Sequence, residues 1–142
     1  MNITDMLRNY EIYSRIQKIL LNEYDLMLEF GDFHAQRYSE RIDTGGHVNK
    51  PVEEYVQRKE RLAARISELE VLIEPVSRLI FDLSLGLVSG KHNDTLMLEI
   101  LNCHYWKNES LSSISRRMGL KRQTVRSLRN MLTDNAEKYV KS

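Results

Sequence analysis

Within the 142 residues, the side chains best placed to do chemistry lie between Leu111 and Asn130. This stretch carries six basic residues, Arg116, Arg117, Lys121, Arg122, Arg126 and Arg129, and no Asp or Glu. A run of cations without anions suits phosphate, and duplex DNA is a dense double row of phosphates. The apolar residues among the cations fall where two crossed helices need them. Ile114 and Met118 are one helical turn apart, Gly119 follows, and Leu120, Val125 and Leu128 begin a second stripe. Ser115 puts a small side chain where two crossing helices come closest. Glycine at 119 accepts the left-handed backbone of a tight turn at little cost. The pattern is that of a helix-turn-helix, whose second helix lies in the major groove, or of an αα packing corner with the same geometry.

Charge is segregated along the chain. Residues 107–142 hold nine Lys/Arg and three Asp/Glu, net +6, whereas residues 1–106 hold twelve and seventeen, net −5. The overall formal charge of +1 conceals this polarity. A basic end of this kind is an electrostatic footprint for nucleic acid, although a solvated basic face gives the same composition.

Other chemistries find no support in the spacing. Gly45-Gly46 lacks the flanking strand and the Lys-Ser/Thr of a nucleotide-binding loop. His34, His47, His92 and His104 are scattered, and Cys103 is the only cysteine, so neither a zinc site nor an internal disulfide is expected. No Ser-His-Asp set or carboxylate pair is suggested by proximity in the chain. The expectation is a protein that is not an enzyme and needs no cofactor. Asp5 and Arg8 interrupt the apolar residues at the start, which speaks against a signal peptide, and no apolar run reaches the ~18 residues of a membrane span. A cytoplasmic location and no membrane partner follow as expectations.

The elements that must position the basic stretch read as helices throughout. Only two Pro and six Gly occur. From Ile3 to Glu40 apolar residues recur at helical period, with Gly31 the one weak point. A loop is expected over Asp43–Lys50, with Pro51 opening the next helix and Glu53 and Glu54 in its first turn. From Val52 to Leu87 the spacing alternates three and four through Tyr55, Lys59, Leu62, Ile66, Leu69, Ile73, Val76, Ile80 and Leu83, and only Lys59 is polar. This is a coiled-coil seam. After Glu70, Val71, Leu72, Leu79, Phe81, Leu85 and Val88 widen the apolar surface and imply burial on several sides. Pro75 should kink or restart the helix.

The expected fold is therefore all-α: a long antiparallel helical hairpin over 1–88, a polar linker over 89–94, and a three-helix module over 95–142. Leu62, Ile66, Leu69 and Ile73 are the candidate dimer contacts, since a bare hairpin buries little and a second copy would cover its seam. The alternative is that the seam packs only within the chain. In the module, Asn93 or Asp94 should cap a support helix running to Trp106, and Ser110 should cap the next helix. The last helix should run from Arg122 to Asn135 or beyond, with Val125, Leu128 and Met131 or Leu132 inward.

The run from Leu96 to Leu132 resembles region four of bacterial sigma factors. It is still more similar to the carboxy-terminal part of phage late-gene transcription regulators of the RinA and ArpU type. Leu101 and Tyr105, the Leu111/Ile114 pair, Gly119-Leu120 and Thr124-Val125 carry the likeness. It covers about the last 45 residues; the first half is alike only in being helical. The resemblance implies a sequence-specific DNA-binding transcription regulator, with duplex DNA and RNA polymerase as partners in a bacterial host. Its DNA-binding residues would be Arg116, Arg117, Lys121, Arg122, Gln123, Thr124, Arg126, Ser127, Arg129 and Asn130. Arg122, Gln123 and Ser127 are the expected base readers, and Arg116, Arg117, Arg126 and Arg129 the phosphate contacts. Two departures from the family pattern stand out. Ser113-Ile114-Ser115 replaces Glu-Ile-Ala, and Lys121 stands where Ser or Thr usually caps the second helix. The competing reading is a coiled-coil interaction protein that modulates RNA polymerase or another regulator without reading DNA. A DNA-packaging recognition subunit ranks lower, because such proteins generally carry the DNA-binding part first.

Overall fold

The computed structural model describes the backbone of residues 2–42 and 50–142, and the side chains of residues 2–29 and 52–142. The fold is all-helical. Helices α1 (Ile3–Ile42) and α2 (Lys50–Leu85) are long; α3 (Lys91–Ile100), α4 (Leu111–Met118) and α5 (Arg122–Lys141) follow. The end of α3 widens into a π-helical segment, Leu101–Trp106. Among the described residues no helix is long and apolar enough to cross a membrane. The expected loop over Asp43–Lys50 lies, apart from Lys50, outside the described residues, as does the side chain of His34, while α1 runs through Gly31 without a break.

The chain divides into two compact units, and the division is not the expected one. One unit joins Met1–Tyr13 to Val71–Ser142, and the other is Ser14–Glu70. Residues 14–70 hold two antiparallel helices. Three contacts set their register: Gln17 Nε2 donates to Glu70 Oε2, Arg58 pairs with Glu23 at 3.2 Å, and the Tyr55 hydroxyl donates to the Met27 carbonyl at 2.9 Å. Leu69 is fully buried in the chain, and Leu62 and Ile66 are partly buried.

The other unit has a single core. Val76, Leu79 and Leu83 of α2, Met97 and Ile100 of α3, Leu101, Cys103 and Tyr105 of the π-helical segment, Ile114 of α4, and Val125, Leu128, Leu132 and Ala136 of α5 all enter it. So do Met6 and Leu7 from the first turns of α1. Trp106 ties that end of α1 down: its indole N–H donates to the Leu7 carbonyl at 2.8 Å, and its ring stacks on Tyr10, with centroids 5.9 Å apart. Tyr10 meets Ser77 of α2 at 2.9 Å. A module cut at residue 95 would lose five of these core side chains, which is why the unit recruits both chain regions.

Three expectations about α2 need correction. The helix runs through Pro75 without restarting. The carbonyl that proline leaves unpaired belongs to Val71, a residue 72% exposed, where water can take the bond. Ile73 is only 6% exposed within the single chain, and Leu69 is likewise covered, so neither is available as a dimer contact. The broadened apolar surface is buried only in part: Leu72, Leu79 and Val88 pack on the core, whereas Val71, Phe81, Leu85 and the seam residue Leu87 stay exposed.

The supposed linker at 89–94 is a built corner. Gly86 and Gly90 take positive φ, at 73° and 99°, and α3 already starts at Lys91 with Gly90 as its cap. Asp94 caps nothing. Its carboxylate is fully buried and accepts backbone bonds from Val88 and Ser89, both at 2.9 Å, clamping the turn after α2 onto α3.

Candidate nucleic-acid interface

The turn between α4 and α5 follows from its residues. Ser110 caps α4 by accepting from the Ser113 amide at 3.1 Å, as its position predicts. At the other end Gly119 adopts φ 68° and ψ 27°. The Leu120 amide reaches back to the Ser115 carbonyl at 2.9 Å and the Gly119 amide to Arg116, which closes a Schellman turn. Ser115 is buried at the crossing, and its hydroxyl donates within the helix to Ser112 at 2.9 Å, so no polar atom is stranded there. Ile114, Val125, Leu128 and Leu132 are buried beneath the pair, and α5 packs on both α3 and α4.

Helix α5 starts without a side-chain cap. Lys121 occupies the cap position in extended backbone and makes no capping bond. The first intrahelical bond runs from Val125 to the Lys121 carbonyl at 3.1 Å. The amides of Arg122, Gln123 and Thr124 are therefore the orphan donors of the helix start, beside two cations and no acid in the first turn. That end of the helix dipole repels Lys121 and Arg122 and favours an anion.

The candidate contact residues divide by their surroundings. Arg116, Lys121, Arg122, Gln123, Thr124, Arg126, Ser127 and Asn130 are exposed. Among the described residues, no side-chain hydrogen bond or ion pair engages Arg116, Lys121, Arg122, Gln123 or Arg126. Arg129 is partly buried, and its guanidinium donates to Asn130 Oδ1 at 3.2 Å.

Arg117 is different in kind. Its guanidinium is held by Glu109 at 3.0 Å and Glu99 at 3.3 Å, and it donates to Cys103 Sγ at 2.9 Å. Glu109 also accepts from the Ser113 hydroxyl at 3.0 Å. The bond from Arg117 holds the Glu109 carboxyl below its ordinary pKa, and Glu109 in turn raises that of Arg117. Burial, with Glu99 beside it, pushes the Cys103 thiol up, so Cys103 is a neutral member of this network. Its charge answered by two carboxylates, Arg117 cross-links α4 to the π-helical segment and the turn after it. That turn holds Asn108 at φ 58° and is closed by the Glu109 amide on the Cys103 carbonyl at 2.8 Å.

At its far end α5 is anchored on α2. The Tyr139 hydroxyl donates to Asp82, and Arg78 donates to the Tyr139 carbonyl at 3.2 Å while lying 5.9 Å from the Tyr139 ring centre. Burial and the Asp82 bond raise the Tyr139 pKa to about 12. Neither this anchor nor the Trp106 bond to Leu7 is visible in the sequence, since each joins residues more than fifty positions apart. Compared with known proteins, the chain matches no family model, no curated protein and no solved structure.

Proposed function

We propose that this chain is a sequence-specific DNA-binding transcription regulator, of the phage or mobile-element late-gene kind, acting in the cytoplasm of a bacterial host. The observation that carries the reading is the start of α5. It presents exposed, unpaired cations and uncapped amides just past a Gly119 turn, over a packed two-helix corner. Cations without internal partners, held on a rigid element, gain most from phosphate, whereas Arg117 already has its partners. Arg116, Lys121 and Arg126 are the phosphate contacts in this reading. Dimerisation through residues 14–70 belongs to the same proposal, with Leu62 and Ile66 as its contacts, and would present two half-sites. The test is titration of labelled duplexes from a host and phage genome with the full chain at low salt, read by fluorescence anisotropy. Binding that weakens steeply as salt rises supports the reading; no binding, or binding indifferent to salt, overturns it.

A second reading rests on a different observation. Val71, Phe81 and Leu85 of α2 and Leu87 after it are 51–72% exposed, apolar surface that a partner could cover. In this reading the chain is an interaction protein that modulates RNA polymerase or another regulator, and the partner covers that surface. Capture of polymerase by a chain that ignores DNA would favour this reading over the first.

A further inference from the structure

We propose that the base-reading row of α5 is Gln123, Ser127 and Asn130, that it is directed at adenine, and that Arg122 serves phosphate rather than a base. This rests on the DNA-binding reading above and goes further, to which residues choose the sequence and what they choose.

The core fixes which way α5 faces. Val125, Leu128, Leu132 and Ala136 are the buried residues of the helix. At 3.6 residues per turn, the direction opposite their mean passes within about 35° of Gln123, Ser127 and Asn130. All three are exposed. Arg126 lies at the edge of this row. Arg122 falls roughly 105° from the outward direction, on the flank. Arg129 is further round still, which accounts for its partial burial. On a helix lying in the major groove, the outward row faces base edges and the flanks face the two backbones. Arg122 and Arg126 on one flank and Lys121 at the helix start are then placed for phosphate.

The sequence also marks where the row leaves the groove. Its next outward residue is Asp134, which is exposed; Glu137 and Lys138, one turn on, flank the row with opposite charges. The Asp134 carboxylate repels phosphate, so the base-reading part of the row ends at Asn130. Residues 122–130 span about 12 Å at 1.5 Å per residue, comparable with the width of the major groove.

The side-chain chemistry then selects the base. A carboxamide offers one acceptor and one donor side by side, which matches N6–H and N7 of adenine; guanine is read by Arg or Lys. The row holds two carboxamides, a short hydroxyl and no cation. The bond from Arg129 to Asn130 Oδ1 uses one lone pair of that oxygen and fixes the amide orientation, leaving the second lone pair and the NH₂ for a base. Gln123 and Asn130 are two turns apart, about 10.5 Å, or roughly three base-pair steps of 3.4 Å.

The test uses the full chain. Random duplexes would be selected for binding at moderate salt, and the enriched site sequenced for the unaltered protein and for Q123A, N130A and R122A, with circular dichroism confirming that each variant keeps its helix content. The expected site requires adenine at two positions about three base pairs apart. Q123A should lose the requirement at one and N130A at the other, each by roughly 5- to 150-fold in discrimination. R122A should keep the same site and bind every duplex more weakly. A site without adenine dependence, or one that Q123A and N130A leave unchanged, overturns the proposal. So does duplex binding with no enrichment, which would leave DNA binding itself standing. No binding at any salt removes the DNA-binding reading as well.

Discussion

Leu7→Ala should destabilise the unit that holds α4 and α5 although Leu7 lies 104 residues before Leu111. Leu7 is fully buried in the same core as Val125 and Leu132. The bond from the Trp106 indole goes to its backbone carbonyl and survives the substitution, so the change removes packing alone. Truncation of an enclosed leucine costs about 2–5 kcal/mol, the upper half applying where neighbours cannot close the gap. Here α2, α3 and α5 hold the neighbours in place, and about 3–4 kcal/mol is expected. A domain of this size has roughly 5–10 kcal/mol in total. With an m value of about 1.5 kcal/mol/M, the urea midpoint should fall by about 2 M. Trp106 is the only tryptophan and sits on α1 itself, so its fluorescence reports the unfolding of this unit. Ile12→Ala is the control, since Ile12 is 54% exposed and should shift stability by less than about 0.5 kcal/mol. Equal midpoint shifts for Leu7→Ala and Ile12→Ala would refute the inclusion of α1 in this core.

Three further outcomes are expected. Asp94→Ala strands the amides of Val88 and Ser89 and should cost about 1–3 kcal/mol in the same denaturation experiment, with Asp94→Asn intermediate because it keeps one acceptor oxygen. Gly119→Ala meets no atom within 4 Å, so its cost is the left-handed backbone alone, about 1–2 kcal/mol, and Gly119→Asn should cost clearly less. A neutral Gly119→Ala would contradict the turn geometry. Tyr139 has its pKa raised to about 12 in the folded chain, so its contribution is complete below the unfolded value near 10 and is lost as pH climbs from about 10 to 12. Tyr139→Phe should flatten that part of the stability profile; a profile that Tyr139→Phe leaves unchanged would contradict the Asp82 anchor.

What the sequence made legible was local. The Ser110 cap, the Gly119 turn, the inward Val125 and Leu128 and the uncapped Lys121 all depend on residues within a few positions, where helical period and turn chemistry decide the outcome. What it hid was long-range. Arg117 has the same local pattern as Arg116, and only the fold shows that Glu99 and Glu109 converge on one and not on the other. Asp94 stands where a helix cap would stand, and the two glycines before it bend the chain so that its carboxylate faces the turn after α2 instead. The heptad-like seam through Leu69 and Ile73 speaks equally for a partner chain and for burial within one chain, because periodicity reports that a face is covered and not by what. The unit boundary near residue 13 was invisible, since α1 carries its apolar period straight across it.

Phosphate binding at the start of α5 requires that its cations be free while Arg117 is not, and the salt dependence of binding reads this directly. The measurement is the slope of log affinity against log salt on one duplex, for the unaltered chain, for Arg122→Ala/Arg126→Ala and for Arg117→Ala. Removing one phosphate-binding cation should reduce the slope by about one per bound chain. The double variant is therefore expected to have a slope about two units shallower, and Arg117→Ala an unchanged one, because its charge is already answered by Glu99 and Glu109. A slope that falls for Arg117→Ala and holds for the double variant would contradict the assignment of the interface to the start of α5.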